Sequence, residues 1–379
     1  MSISEERGGL SLDNDIKVLI VDDSSLIRTL LSKMLSTVKG INVVGTALNG
    51  AFALNKLHSL KPDVIVLDLE MPDMNGIDFL RERNKLGIKI PVIILSAHAK
   101  KGAKITLDAL SLGASDFILK PSEAGQTIED TKNKLVEMIY AIARPGSYID
   151  VEASTNYIKK TTIEPPAYNK IDISSYIIPV SRIPEIDVVS IGISTGGPNA
   201  LREVLPLIPE DFPVPIVIVQ HMPAGFTLEF ANSLNNICRL EVKEAADNDI
   251  LKKGRIYIAP GNKHIYFEKR SLATVIRTSD EPQVNGHRPS AEVLFRSTAE
   301  VFGRNSLAVI MTGMGKDGAA AIGSIKDKGG VTIAQDQETA IVFGMPRVAI
   351  ELRNINMVVP LGRIAEYINN LVMRRTIPR

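Results

Sequence analysis

Two sets of residues in this chain have types and spacings that could do chemistry. The first is Asp22, Asp23, Asp68, Ser96 and Lys120, which close short apolar runs: KVLIV (17–21), DVIVLDL (63–69), PVIILSA (91–97) and DFILKP (116–121). Ligands of an open parallel sheet bind beyond the carboxyl ends of its strands, so these runs would deliver three carboxylates, a hydroxyl and an ammonium to one small area. Carboxylates that close need a counter-charge, and an oxygen-rich, partly hydrated site suits Mg²⁺ better than softer metals. One carboxylate could then act as nucleophile toward a phosphoryl group, with the metal, Lys120 and Ser96 neutralising its oxygens. Any one of these acids could instead be a helix N-cap. The coincidence of all five, with Pro121 after Lys120, favours the phosphoryl site.

The second set starts at Gly192-x-Ser194-x-Gly196, where an apolar run enters a glycine-lined turn before NALREVLPLI. Small flanking residues would expose the serine hydroxyl near a helix N-terminus, whose amides can hold an oxyanion. The same pattern also serves plain phosphate-binding turns, so a hydrolase reading needs a base. Of the five histidines, His58 falls on a helical stretch and His98 in a loop near the acidic pocket. His264 and His287 read as loop residues, while His221 ends the apolar run PIVIVQ, at the same kind of edge as Ser194, and is preferred as base. Asp317, in the glycine-rich VIMTGMGKDGAA (309–320), could orient it, or could simply cap a helix. The order Ser, His, Asp differs from the Ser, Asp, His of α/β-hydrolases.

Elements able to position these groups are legible in the hydropathy pattern. From 16 to 143, five apolar runs (including NVVGTA, 42–47) alternate with stretches that put Leu, Ile and Met at helical spacing, and a last helix spans 128–143. Residues 144–184 lose that periodicity and read as a linker rich in Pro, Ser, Thr, Tyr and Asn. The strand pattern resumes in DVVSIGIS, PIVIVQH, GRIYIAP, SLAVIMTGM and GGVTIAQD, giving a second α/β unit over 185–379. The expected architecture is α/β throughout, with two doubly wound parallel-sheet domains: a five-stranded flavodoxin-like one and a Rossmann-like one.

Composition agrees with two domains in 379 residues. Lys+Arg (44) nearly cancel Asp+Glu (43), which leaves no overall electrostatic footprint for a nucleic-acid partner. No apolar run is long enough to span a membrane, and the polar, acidic opening is unlike a signal peptide. The single Cys238 excludes an internal disulfide, so a cytoplasmic protein is expected.

VDDS (21–24), DLEMPDMNG (68–76), LSA (95–97) and ILKP (118–121) resemble a response-regulator receiver domain. That resemblance implies Asp68 as phosphoacceptor, Asp22, Asp23, Asp68 and the backbone carbonyl of Glu70 as Mg²⁺ ligands, and Ser96 and Phe117 as the switch pair beside Lys120. GISTGGP, QHMP, EAADND, GRIYIAPGNKHI, NGHRPSAEVLF, TGMGKDGA and AQDQETAIVFGMP are similar to the catalytic domain of the CheB family of chemotaxis protein-glutamate methylesterases. Together the two resemblances cover nearly the whole chain. They imply Ser194 as nucleophile, His221 as base, Asp317 as its orienter and the amides of Thr195 and Met314 as oxyanion donors. They also imply hydrolysis of receptor glutamyl methyl esters and deamidation of receptor glutamines, without a cofactor for the ester chemistry. Partners implied are methyl-accepting chemotaxis receptors and a histidine kinase of the CheA type. Glu292 and Ala321 depart from the family pattern, which commonly has Asp and Gly there. The competing readings are a non-catalytic adapter or phosphate sink, and a hydrolase of small acyl esters or amides.

Overall fold

The computed structural model describes residues 15–96, 100–120, 128–143 and 184–373. The linker expected at 144–184 lies outside the described residues apart from Pro184, as do His98 and Pro121.

The first half is a five-stranded parallel sheet with strands β1 (Ile16–Val21), β2 (Ile41–Ala47), β3 (Val64–Asp68), β4 (Val92–Ser96) and β5 (Asp116–Leu119), in the order β2-β1-β3-β4-β5. This is the flavodoxin-like order, which reverses direction between β1 and β3. Helices α1 (Ser25–Ser36), α2 (Gly50–Leu60), α3 (Gly76–Lys85), α4 (Lys100–Ser111) and α5 (Ile128–Ala143) connect or follow the strands. β3, β4 and β5 are buried along their whole length, as strands covered on both faces must be. The acids at the strand ends do not cap the helices that follow: Ser24 caps α1, accepting from the Ile27 amide, and Asn75 caps α3, accepting from the Asp78 amide. Asp22 and Asp68 are thereby left to face the pocket.

The second half holds a seven-stranded parallel sheet: β6 (Val188–Ile193), β7 (Ile216–Gln220), β8 (Glu241–Glu244), β10 (Arg255–Ile258), β13 (Ser306–Ile310), β14 (Val331–Gln335) and β15 (Met357–Val359), ordered β15-β14-β13-β6-β7-β10-β8. Its helices are α6 (Gly197–Val204), α7 (Phe226–Asn235), α8 (Ala291–Phe302), α9 (Ala321–Asp327), α10 (Met345–Glu351) and α11 (Leu361–Val372). β9 (Asp249–Ile250), β11 (His264–Lys269) and β12 (Thr274–Ser279) form a separate antiparallel sheet, in which HIYFEK and TVIRTS pair around a tight turn. Its covered face includes Ile265, Phe267 and Ile276, and β11 packs against α8.

The two halves share one apolar core. Leu107 and Leu110 of α4 and Phe117 of β5 belong to the same buried cluster as Met222, Phe226 and Phe230. The Phe117 and Phe226 rings stack with centroids 4.9 Å apart and planes 9° from parallel.

Candidate active site and phosphoryl site

β13, β6 and β7 are neighbours at the centre of the seven-stranded sheet, and β6 leaves in one direction toward β7 and in the other toward β13. This is a topological switch point, where strand ends open a crevice. Ser194 follows β6, His221 follows β7 and Asp317 lies in the loop after β13. Gly196 holds the turn in a left-handed conformation at φ 75°, and the Gly197 amide closes it by donating to the Ser194 carbonyl at 2.8 Å. Gly313 is required by proximity, because a Cβ there would meet the Ser194 Cβ at 2.8 Å.

The three expected side chains meet. Ser194 Oγ lies 3.0 Å from His221 Nδ1, and His221 Nε2 lies 2.8 Å from Asp317 Oδ2. Nδ1 therefore faces the serine hydroxyl, and Nε2 faces the acid. Asp317 is fully buried and saturated with donors. The Ala291 amide reaches Oδ2 at 2.6 Å, while the Ser290 hydroxyl (2.6 Å), the Asn285 amide (3.1 Å) and the Glu292 amide (3.4 Å) reach Oδ1. Burial by itself would raise the Asp317 carboxyl, but the hydrogen bonds from His221, Ser290 and Asn285 outweigh it and hold it down at about 2. Asp317 does sit at a helix N-terminus, but that of α8, not of α9, which follows it in the chain.

Among the described residues neither the Thr195 nor the Met314 amide has a hydrogen-bond partner, as oxyanion donors require before substrate arrives. Their loops are braced together: Thr312 Oγ1 donates to the Thr195 carbonyl at 2.9 Å, and the Thr312 amide donates to the buried Gln335 Oε1 at 2.8 Å. Gln220, also buried, donates from Nε2 to the carbonyls of Ser194 (3.0 Å) and His221 (3.2 Å). Asn285, Ser290, Gln220 and His287 were not assigned roles from sequence. His287 stacks on the His221 ring with centroids 3.7 Å apart and planes 12° from parallel. The signal for three of them was the NGHRPS segment, already visible as a motif. His264 is the first residue of β11 rather than a loop residue, with Nε2 3.0 Å from the Pro282 carbonyl, and His58 is exposed on α2. The two departures from the family pattern touch each other: Glu292 Oε2 accepts the Ala321 amide at 3.2 Å, capping α9.

In the first half, Asp22, Asp23 and Asp68 can each offer an oxygen within 4.8 Å of the others. Lys120 Nζ lies 2.7 Å from Asp68 Oδ2 and 3.2 Å from Asp22 Oδ2, and the Glu70 amide donates to Asp68 Oδ1 at 3.3 Å. Burial raises the Asp68 carboxyl against the opposing pull of Lys120, with Asp22 adding repulsion. One ammonium between buried carboxylates leaves net negative charge, and the all-oxygen donor set fits a hard divalent cation. Thr106 Oγ1 donates to the Gly102 carbonyl at 2.7 Å, and the Ser96 hydroxyl lies 2.6 Å from Thr106 Oγ1.

The halves touch close to the triad. The Gly196 amide, two residues past Ser194, donates at 3.0 Å to Asp116 Oδ2 of β5, and Asn199 donates to the Ala114 carbonyl at 2.8 Å. The CheB methylesterase family profile matches residues 189–368, and that of the response regulator receiver domain matches residues 18–132. A Treponema denticola protein named protein-glutamate methylesterase/protein-glutamine glutaminase is 49% identical over 94% of this chain and 98% of its own. The chain belongs to the CheB methylesterase family. A Treponema pallidum protein of the same name is 44% identical over 94% of this chain and 97% of its own. One from Koribacter versatilis, carrying that name with the suffix 2, is 47% identical over 92% and 94%. The match to these CheB-family relatives spans both halves.

Proposed function

We propose that the chain is a phosphorylation-regulated protein-glutamate methylesterase and protein-glutamine glutaminase acting on chemoreceptors, with Ser194, His221 and Asp317 as its reacting groups. The 3.0 Å approach of Ser194 Oγ to a His221 ring held by an ionised, buried Asp317 carries the reading. Ser194 Oγ attacks the side-chain carbonyl carbon of a glutamyl methyl ester and its proton passes to His221 Nδ1. The amides of Thr195 and Met314 hold the oxyanion. The tetrahedral species collapses, methoxide takes the proton from His221, and methanol leaves. Water then gives a proton to His221 and attacks the acyl-serine, and Ser194 regains its proton as the glutamate side chain is released. With glutamine, ammonia leaves in place of methanol. A non-catalytic adapter would have no use for these three side chains in register.

Residues 16–143 form the receiver, 144–184 the linker and 185–379 the catalytic domain. Asp68 accepts the phosphoryl group from a histidine kinase of the CheA type. Asp22, Asp23, Asp68 and the Glu70 carbonyl would hold Mg²⁺, which when bound supplies positive charge to the phosphoryl oxygens. Lys120 and Ser96 bind those oxygens too. Phe117, stacked on Phe226, carries the change to the face that docks on α6 and α7. The protein works in the cytoplasm; no described helix is long and apolar enough to cross a membrane.

The test is methanol release from a methylated receptor fragment, with and without a small phosphodonor and Mg²⁺, for the native chain, Ser194→Ala and Asp68→Ala. Release should require Ser194 and rise with phosphodonor only when Asp68 is present. Equal release by Ser194→Ala overturns the assignment of the nucleophile.

A further inference from the structure

The hairpin carrying His287 is anchored from both sides. Val284 and His287 exchange backbone hydrogen bonds of 3.1 and 3.0 Å around Asn285 and Gly286, both left-handed at φ 53° and 77°, which makes a tight two-residue turn. Asn285 of that turn donates to Asp317 Oδ1. On the other side Arg288 donates to the carbonyls of Asp280 (2.6 Å) and Glu281 (3.0 Å) and to Asn262 Oδ1 (2.7 and 3.1 Å). These bonds fix the backbone of His287, and its ring lies flat on that of His221. Among the described residues neither ring nitrogen of His287 has a hydrogen-bond partner, so its contact with the triad is made through the ring face.

We infer that His287 is a positioning residue for the esterase reaction, whose imidazole, stacked on His221, fixes that ring between Ser194 and Asp317 and stabilises the positive charge it gains on taking the serine proton. His221 is held at its two nitrogens, Nδ1 by Ser194 and Nε2 by Asp317. Those two bonds define an axis but leave the ring free to tilt about it, and a flat neighbour at van der Waals distance removes that freedom. An aromatic face also attracts a cation, provided the aromatic group is itself uncharged. Burial, and then the charge of His221, push the His287 imidazole below its ordinary value, which favours the neutral ring. A protonated His287 would repel the imidazolium of His221. The inference rests on the triad proposed above.

The experiment compares full-length native chain, His287→Ala, His287→Phe and His221→Ala, all with phosphodonor and Mg²⁺. Three readouts are taken: kcat and KM for methanol release, single-turnover phosphonylation of Ser194 by a small organophosphonate, and thermal unfolding. The alanine variant should lose roughly 10- to 100-fold in kcat, a scale set by cation–π stabilisation and loss of alignment, with KM within about twofold. Phosphonylation should fall by the same factor without any receptor present, and phenylalanine, which keeps a flat ring but has no nitrogen, should recover most of it. The inference is overturned if His287→Ala keeps kcat within about twofold of native, if phenylalanine is no better than alanine, or if the loss falls in KM alone. His221→Ala separates the two levels: if it retains activity the triad reading fails, whereas its inactivity beside a fully active His287→Ala removes only the role of His287.

Discussion

Replacing Asp116 by alanine should release the catalytic domain from its receiver. Asp116 is buried, and its two oxygens take one amide hydrogen each: Oδ1 from Phe117 at 2.8 Å, within the receiver, and Oδ2 from Gly196 at 3.0 Å, across the domain boundary. The Phe117 bond survives separation of the domains, so the Gly196 bond is the one that docking creates. In Asp116→Ala the docked form keeps an unpaired amide in a dry contact, while in the open form water satisfies it. At pH 5, below the value of about 6 to which burial raises the docked carboxyl, that difference is worth about 1–3 kcal/mol, or roughly 5- to 150-fold in the docking equilibrium. Unstimulated methanol release should rise by up to that factor, with the phosphodonor-stimulated rate as its ceiling. Hydrogen exchange at the amides of Gly196 to Asn199 should accelerate in parallel. The reasoning is refuted if unstimulated release and exchange both stay at native levels. It is equally refuted if the stimulated rate falls by as much as the unstimulated one changes, since Asp116 would then act on the neighbouring Ser194 turn and not on docking.

Burial raises the Asp116 carboxyl to about 6 in the docked form, offset in part by the bonds from Phe117 and Gly196, so docking takes up a proton. The favourable contribution is complete below the ordinary carboxyl value of 3.8 and is lost as pH rises through about 6. The ratio of unstimulated to stimulated release should therefore be lower at pH 5 than at pH 7 in the native chain and less pH-dependent in Asp116→Ala. Chelating divalent cations should abolish stimulation by phosphodonor while methanol release at the unstimulated rate continues. Lys120→Met, which removes the ammonium between Asp22 and Asp68, should cut stimulation by roughly 10²-fold, read as the stimulated-to-unstimulated ratio. Asp317→Asn cannot present acceptors to both the His221/Ala291 and the Ser290/Asn285/Glu292 donors. Its kcat should fall roughly 10³- to 10⁴-fold, and equal kcat in this variant would deny Asp317 its role.

The central strands were legible because burial on both faces demands uninterrupted apolar runs such as VIVLD and IVIVQ. Strands that need only half that burial were not: EVKE of β8 sits at a sheet edge, β9 has two residues, and β11 and β12 are only partly buried. The meeting of Ser194, His221 and Asp317 was readable because Ser194 and His221 directly follow neighbouring strands and Asp317 lies in the loop after a third. The groups that hold the triad follow no such rule. Asn285, His287 and Ser290 arrive from a turn well before Asp317 in the chain, and only the folded hairpin shows which atoms they reach. Docking was invisible for the same reason, since Leu107 and Leu110 of α4 read as ordinary core residues of a single domain.

The continuity of the core across the boundary gives regulation a temperature coefficient. Parting the Phe117–Phe226 stack and the α4–α7 contact exposes apolar surface, so the opening step carries a positive heat-capacity change. Attraction between apolar surfaces weakens on cooling. The unphosphorylated enzyme should therefore be least restrained in the cold and more firmly held as the cell warms, so the range over which phosphorylation can raise its rate widens with temperature.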